Sequence, residues 1–135
     1  VENCVNDLAA IVDHLGADAV HYCGESMGGI LGMVLAATQP KRVRTLTLVS
    51  TPVYINDKAK ESYSMGHASR IAAMQAMGRE AWLKATNAST RFPPDADPGL
   101  VDWYSAEYAK GRPDVQLAYA KLVNSASARN CDAPA

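Results

Sequence analysis

Six residues, Gly24-Glu25-Ser26-Met27-Gly28-Gly29, stand between a short apolar run and a segment of small apolar residues, and they restrict the possible folds more than any other feature of the chain. Ala19-Val20-His21-Tyr22-Cys23 has the length and character of a strand buried on both faces. Met27 to Gln39 carries no charge, is rich in Ala, Leu and Gly, and stops at Pro40, as a buried helix ended by proline does. Thr45-Leu46-Thr47-Leu48-Val49 reads as a second strand. Strand, tight turn, helix and strand make one right-handed parallel crossover, the repeating unit of an α/β sheet.

The composition of the turn points to chemistry. A serine hydroxyl is a poor nucleophile near neutral pH, so it must be exposed where a general base can reach it and anionic charge can be stabilised. A sharp strand-to-helix turn does this by holding its central residue in a strained backbone conformation. Glycine is then expected at 24 and 28, because a Cβ two positions before or after Ser26 would clash with the neighbouring strand and helix. The backbone N–H of Met27, at the helix N-terminus, would point at the place where an oxyanion forms. Gly-x-Ser-x-Gly alone is short enough to arise by chance, so its setting between strand and helix carries the reading.

Asp7-Leu8 through Leu15-Gly16, then Val20 to Gly29, then Pro40 to Ser50, closely resemble the middle of an α/β-hydrolase-fold protein. The resemblance implies an α/β fold class. Residues 1–52 would form part of the core with its nucleophile elbow, 53–130 a helical cap, and 131–135 the start of the return to the core. It also implies roles: Ser26 as nucleophile, Met27 as oxyanion donor, Gly24 and Gly28 as structural residues of the elbow. In the family the triad runs Ser, then Asp or Glu, then His, with acid and base on loops after later core strands. Neither strand is recognisable here, and Val1 is not a start methionine. The chain is therefore expected to be an internal fragment of a protein roughly twice as long, with the acid, the histidine and the second oxyanion donor outside it.

The implied activity is that of a serine hydrolase cleaving an ester, lactone or related acyl substrate through an acyl-enzyme on Ser26, with no cofactor and no metal. Serine at the elbow counts against dehalogenases and epoxide hydrolases of similar architecture, which use aspartate there. Carbon–carbon bond hydrolases, acyltransferases, cofactor-free haloperoxidases and non-catalytic ligand-binding members share the fold and stay open.

Composition narrows the partners. A formal net charge of -1 gives no reason to expect nucleic acid or an acidic lipid surface, and the partner that the resemblance implies is a small-molecule acyl substrate. The longest uncharged stretch, Ser26 to Pro40, is shorter than the roughly twenty apolar residues of a membrane span. Three cysteines, Cys4, Cys23 and Cys131, have no metal-like spacing and no even count for a disulfide framework, which favours a reducing, cytoplasmic compartment. A signal peptide ahead of Val1 stays open, and the sequence says nothing of oligomeric state.

Along the chain, Val5, Leu8, Val12 and Leu15 fall on one helical face, with Gly16 as a C-terminal stop. After Thr51-Pro52 the apolar pattern becomes helical: Ile71, Met74 and Met77 form one stripe, and Leu100, Trp103, Tyr104 and Tyr108 another. Val115, Ala118, Tyr119, Leu122 and Val123 form a third face. Asp97 is an expected N-cap with Pro98 in the first turn. Trp82, Trp103 and Tyr104 are candidate substrate-binding residues, although packing between helices is the preferred reading of aromatic residues at helical spacing. Ser26, Asp57 and His67 follow the order of a triad, but Asp57 lies well beyond the second strand and His67 in a helical region, so a solvated aspartate and a surface histidine are favoured. His14 is expected at the surface and His21 at the strand. Glu25 is expected to hydrogen-bond or orient a neighbour, not to act as base. Asn87-Ala88-Ser89 matches a glycosylation acceptor and is read as a chance match within a helix.

Overall fold

A computed structural model describes residues 1–129 and 131. The chain divides into two units: Val1–Ile55 together with the C-terminal stretch from Ser125, and Asn56–Asn124. Of the stretch read as a cap, residues 53–55 and 125–129 thus belong to the first unit. The expected return to the core at 131–135 lies, Cys131 apart, outside the described residues.

The first unit runs α1 (Glu2–His14), β1 (Val20–Glu25), α2 (Met27–Thr38), a short 3-10 turn (Pro40–Arg42) and β2 (Val43–Val49). The strands pair in parallel, His21 opposite Thr45 through Glu25 opposite Val49, with a register shift between Val20 and His21. This is one parallel strand–helix–strand unit, the arrangement the resemblance implies, followed by helices. Val5, Val34 and Leu35 form the buried core between α1 and α2, and Leu8, Tyr22, Val43 and Cys131 pack against it. Arg42 fastens the layers: its guanidinium pairs with Asp13 and donates to the carbonyls of Ala9 at 3.3 Å and Asp18 at 3.4 Å.

α1 ends as its glycine predicts. Gly16 sits at φ +64°, its N–H donates to Asp13 O and the Ala17 N–H to Val12 O, the paired bonds of a Schellman motif. Leu15, expected on the buried face, is 68% exposed, because as the C-cap it already lies where the chain turns off the helix. The first strand also differs from the expectation of burial on both faces. His21 and Cys23 are exposed, as are Leu48 and Val49 on β2, since the sheet has only two strands among the described residues. After β2, residues 53–55 run antiparallel to 126–128 through a Tyr54–Ser127 bridge, so the chain leaves the first unit and rejoins it side by side.

The second unit contains α3 (Asp57–Ser64), α4 (Arg70–Met77), α5 (Arg79–Thr86) continued by a π-helical turn (Asn87–Arg91), α6 (Pro98–Ala109) and most of α7 (Pro113–Ser125). Ala73, Met74, Trp82, Leu83 and Ala120 form its core. Three of its helices start at side-chain caps: Asn56 Oδ1 accepts from Ala59 N–H at 2.8 Å, Ser69 Oγ from Ala72 N–H at 3.1 Å, and Asp97 Oδ1 from Leu100 N–H at 2.9 Å. Two predicted stripes divide. On α6, Tyr104 and Tyr108 pack against the core while Leu100 and Trp103 are exposed. On α7 Val123 is buried as expected and Leu117 and Ala120 pack inward, while Val115 and Tyr119 are exposed. The α7 face was obscured because Gln116, beside Leu117, is polar: it turns inward to accept from Arg79 at 2.8 Å and donate to Tyr108 O at 2.6 Å.

Candidate functional site

β1 ends at Glu25 and α2 begins at Met27, leaving Ser26 alone at the turn with φ 49° and ψ -113°, a combination that side-chain-bearing residues avoid. Several bonds hold it there. The Ser26 N–H donates to Val49 O at 3.0 Å, tying the turn to the end of β2, and the Ser26 carbonyl accepts from Gly29 N–H at 3.1 Å and Ile30 N–H at 3.2 Å. The Thr51 hydroxyl lies 3.0 Å from Val49 O and 3.3 Å from Gly24 O. The Tyr22 hydroxyl donates to Gly28 O at 2.8 Å, and burial, with Cys23 adding to it, pushes this phenol above its usual range so that it keeps its proton. A strained residue persists only where its surroundings over-determine it, and these contacts do so.

Ser26 is the N-cap of α2, yet its side chain makes no cap bond. Serine is among the strongest N-cap residues because its oxygen accepts from the second or third helical N–H, so withholding it forgoes a stabilisation of about 1 kcal/mol. Met27 opens the helix, and its N–H is one of the donors that no intrahelical carbonyl can satisfy. A hydroxyl not committed to its helix and a helix-terminal donor therefore sit on adjacent residues.

The glycines sort differently from the expectation. A Cβ on Gly24 would lie 2.6 Å from Gly28 C, Gly28 O and Gly29 N, which is the predicted clash. A Cβ on Gly28 would meet nothing within 4 Å, which corrects the steric role assigned to it. The second close approach is at Gly29, where a Cβ would overlap the Thr51 side chain. Sequence reasoning missed this pair because the group that excludes the side chain is 22 residues away in the chain.

The remaining candidates are scattered. Glu25 is exposed, and its side chain has no hydrogen-bond partner among the described residues, so the neighbour it was expected to orient is not found there. His14 is exposed at the end of α1, and His21 shares a 2.8 Å hydrogen bond between Nδ1 and Thr45 Oγ1 on the strands. Asp57 pairs with Lys60 at 3.0 Å in the first turn of α3, and His67 is exposed, so the acid and base of a triad are not joined there. Trp82 is 2% exposed, and its indole N–H donates to Tyr63 O at 2.9 Å. It is a core residue, which corrects its assignment to a substrate surface. Tyr104 packs edge-on to Phe92 at 5.4 Å, while Trp103 is 59% exposed. Asn87 is 2% exposed and donates to Ser105 Oγ at 3.1 Å, so the glycosylation match falls on a buried side chain.

Within the second unit, a cavity of about 780 Å³ is walled by Leu83, Phe92, Pro93, Val101 and Tyr108, with Arg79, Lys84 and Asp102 among its polar lining. None of Trp82, Trp103 and Tyr104 lines it. Among the described residues no helix is long and apolar enough to cross a membrane, and no group of His, Cys, Asp and Glu is placed to hold a metal. Cys4, Cys23 and Cys131 are free thiols.

Comparison with known proteins places these observations. The sequence model of the family described as "alpha/beta hydrolase fold" matches residues 1–117. A protein of Azorhizobium caulinodans named as the carbamate hydrolase RutD is 31% identical over 85 residues, covering 63% of this chain and 31% of that protein. A strigolactone esterase of Arabidopsis thaliana is 27% identical over 131 residues, covering 93% of this chain and 47% of the esterase. The dihydrolipoyllysine-residue acetyltransferase component of the acetoin cleaving system of Cupriavidus necator is 39% identical over 62 residues, covering 46% of this chain and 16% of that component. The chain spans less than half the length of each of these relatives.

Proposed function

The chain belongs to the α/β-hydrolase fold family, and from that membership we propose that Ser26 is the nucleophile of a hydrolase acting on an ester, lactone or related acyl substrate. The observation that carries this reading is Ser26 itself: a serine at positive φ between strand and helix, at an N-cap position whose hydroxyl does not cap. Similarity to proteins named as a carbamate hydrolase and a strigolactone esterase supports acyl chemistry.

In the proposed reaction the Ser26 oxygen attacks the substrate carbonyl carbon as its proton passes to a histidine, which an acid orients; neither is assigned among these residues. Negative charge gathers on the carbonyl oxygen, and the Met27 N–H donates to it. Collapse of the tetrahedral intermediate breaks the acyl–oxygen bond and returns the proton to the leaving alkoxide. Water then repeats the sequence on the acyl-enzyme and releases the acid. Labelling of the full-length protein by a fluorophosphonate, lost in Ser26→Ala, is the expected result. Labelling of the variant at wild-type level would refute the assignment.

Similarity to an acetyltransferase component favours one second reading, in which a thiol or alcohol replaces water in the last step. Product analysis of the deacylation separates the two. Free acid as the sole product supports hydrolysis, and an acyl thioester or new ester supports transfer.

A further inference from the structure

The cavity of about 780 Å³ in the second unit takes all of its lining from residues 79–109: from α5 and its π-helical turn, from α6, and from the loop that joins them. Its volume is many times the roughly 30 Å³ that one water occupies, too large for a packing defect. It falls within the range of about 300–1,000 Å³ typical of small-molecule sites.

The elements around it are fastened to one another. Arg79, at the start of α5, donates from Nη1 to Gly111 O at 2.7 Å and to Gln116 Oε1 at 2.8 Å, which ties it to the chain just beyond α6. On the π-helical turn, Asn87 Nδ2 donates to Ser105 Oγ of α6 at 3.1 Å, and the Ser105 hydroxyl donates to Val101 O at 2.8 Å. The joining loop is held as well: the Phe92 N–H donates to Asn87 O and the Ala96 N–H to Pro93 O, each at 3.1 Å, and the Phe92 ring packs edge-on to Tyr104. Walls fixed in advance spare a ligand the cost of ordering them.

The lining also selects a chemistry. Arg79, Asn87 and Ser105, its less exposed polar side chains, already have partners within the protein. The other charges, Glu80, Lys84 and Asp102, are exposed, and among the described residues none of them forms an ion pair. With Arg79 the lining holds two cations and two anions. A charged ligand would therefore meet like charge as well as opposite, and would give up hydration against the apolar walls. Burial pushes the Tyr108 phenol above its ordinary range, against the opposing effect of the Arg91 charge, so this ring stays uncharged.

We propose that this cavity is a binding site for an uncharged aromatic molecule, held by apolar contact with Leu83, Phe92, Val101 and Tyr108. The rings of Phe92 and Tyr108 offer edge and face contacts to a ring system between them and the aliphatic side chains. The inference does not depend on the reading of Ser26, because its test measures binding and not turnover.

The test is fluorescence titration of the full-length protein with 6-propionyl-2-dimethylaminonaphthalene, an uncharged aromatic ketone whose emission moves to the blue in apolar surroundings. Saturable binding with blue-shifted emission is expected, and Ser26→Ala should leave it unchanged. Ala88→Trp fills part of the cavity from an exposed position of its lining and should weaken binding at least tenfold. Should that variant fail to fold, Phe92→Leu decides: it keeps an apolar wall but removes the ring, and should weaken binding at least threefold. In competition, 2-naphthamide should displace the ketone at concentrations at least tenfold lower than 2-naphthoate or 2-naphthylmethylammonium. No saturable binding, loss of binding in Ser26→Ala, undiminished binding in a folded cavity variant, or equal displacement by a charged competitor would each overturn the proposal.

Discussion

Asn56, Ser69 and Asp97 in the second unit and Ser26 in the first occupy the same structural position, the residue before a helix, and use it in opposite ways. The three caps of the second unit each accept a main-chain N–H from the first turn of their own helix. Ser26 accepts none, and its backbone is bent to positive φ as well. In the second unit, then, the side chain at the N-cap stabilises the helix it precedes. In the first, the turn into α2 is held instead by the Val49 carbonyl, which accepts from the Ser26 N–H, and by the Thr51 and Tyr22 hydroxyls, which donate to the carbonyls of Gly24 and Gly28. These contacts leave the serine oxygen uncommitted. The difference teaches that the turn is built around the hydroxyl, not stabilised by it.

The largest effect that could break this comparison is kinetic. If the Ser26 hydroxyl is kept free for covalent chemistry, Ser26→Ala in the full-length protein should lower turnover of a short ester by about 10⁴-fold or more, since members of a triad act as a unit. Ester turnover retained within tenfold of wild type would leave the strained turn without its proposed purpose.

A second contrast lies between the two tryptophans. Trp82 fills the core of the second unit, so Trp82→Ala should destabilise by about 3–5 kcal/mol in denaturant unfolding. Trp103 is exposed, and Trp103→Leu should change stability by less than about 0.5 kcal/mol. If Trp103 also touches substrate, that same variant should reorder kcat/KM across acyl chain lengths, and an unaltered ranking would remove it from the substrate surface.

The two tryptophans also mark what could be read in advance. Strand, turn, helix, the Schellman glycine and the Asp97 cap were legible because each depends on residues within a few positions of one another. The separation of Trp82 from Trp103 was not, since periodicity identifies an apolar face without saying which part of it finds a partner. Gln116 hid the packed side of α7 because a polar residue satisfied by Arg79 looks, in sequence, like solvent. The cavity of the second unit was invisible too, since only the fold brings Leu83, Phe92 and Val101 around one space. At the candidate site Ser26 was readable from its motif, whereas the contacts from Thr51 and Tyr22 that hold it required the fold.

The glycines around Ser26 give a smaller effect with a clear sign. Gly24→Val places its Cβ against the main chain of Gly28 and Gly29, which cannot move without opening the turn, and should destabilise by about 2 kcal/mol or more. Gly28→Ala enters open space within α2, where alanine is the better helix former by about 1 kcal/mol, so it should leave stability unchanged or raise it. Equal losses in the two variants, measured by urea unfolding, would restore the symmetric view of the turn in which both flanking glycines are sterically required.

The smallest effect addresses the capping comparison directly. Removing a working cap leaves a first-turn N–H without its acceptor, so Asn56→Ala, Ser69→Ala and Asp97→Ala should each cost about 1 kcal/mol. Ser26→Ala removes no such bond, and it also leaves the positive φ in place, since alanine is strained there much as serine is. Its stability should therefore stay within about 0.5 kcal/mol of wild type, even though it stands at the residue position where serine is ordinarily worth most. A loss at Ser26 equal to that at Ser69 would mean that the hydroxyl caps α2 in solution. The turn would then be stabilised by the group it was argued to set free.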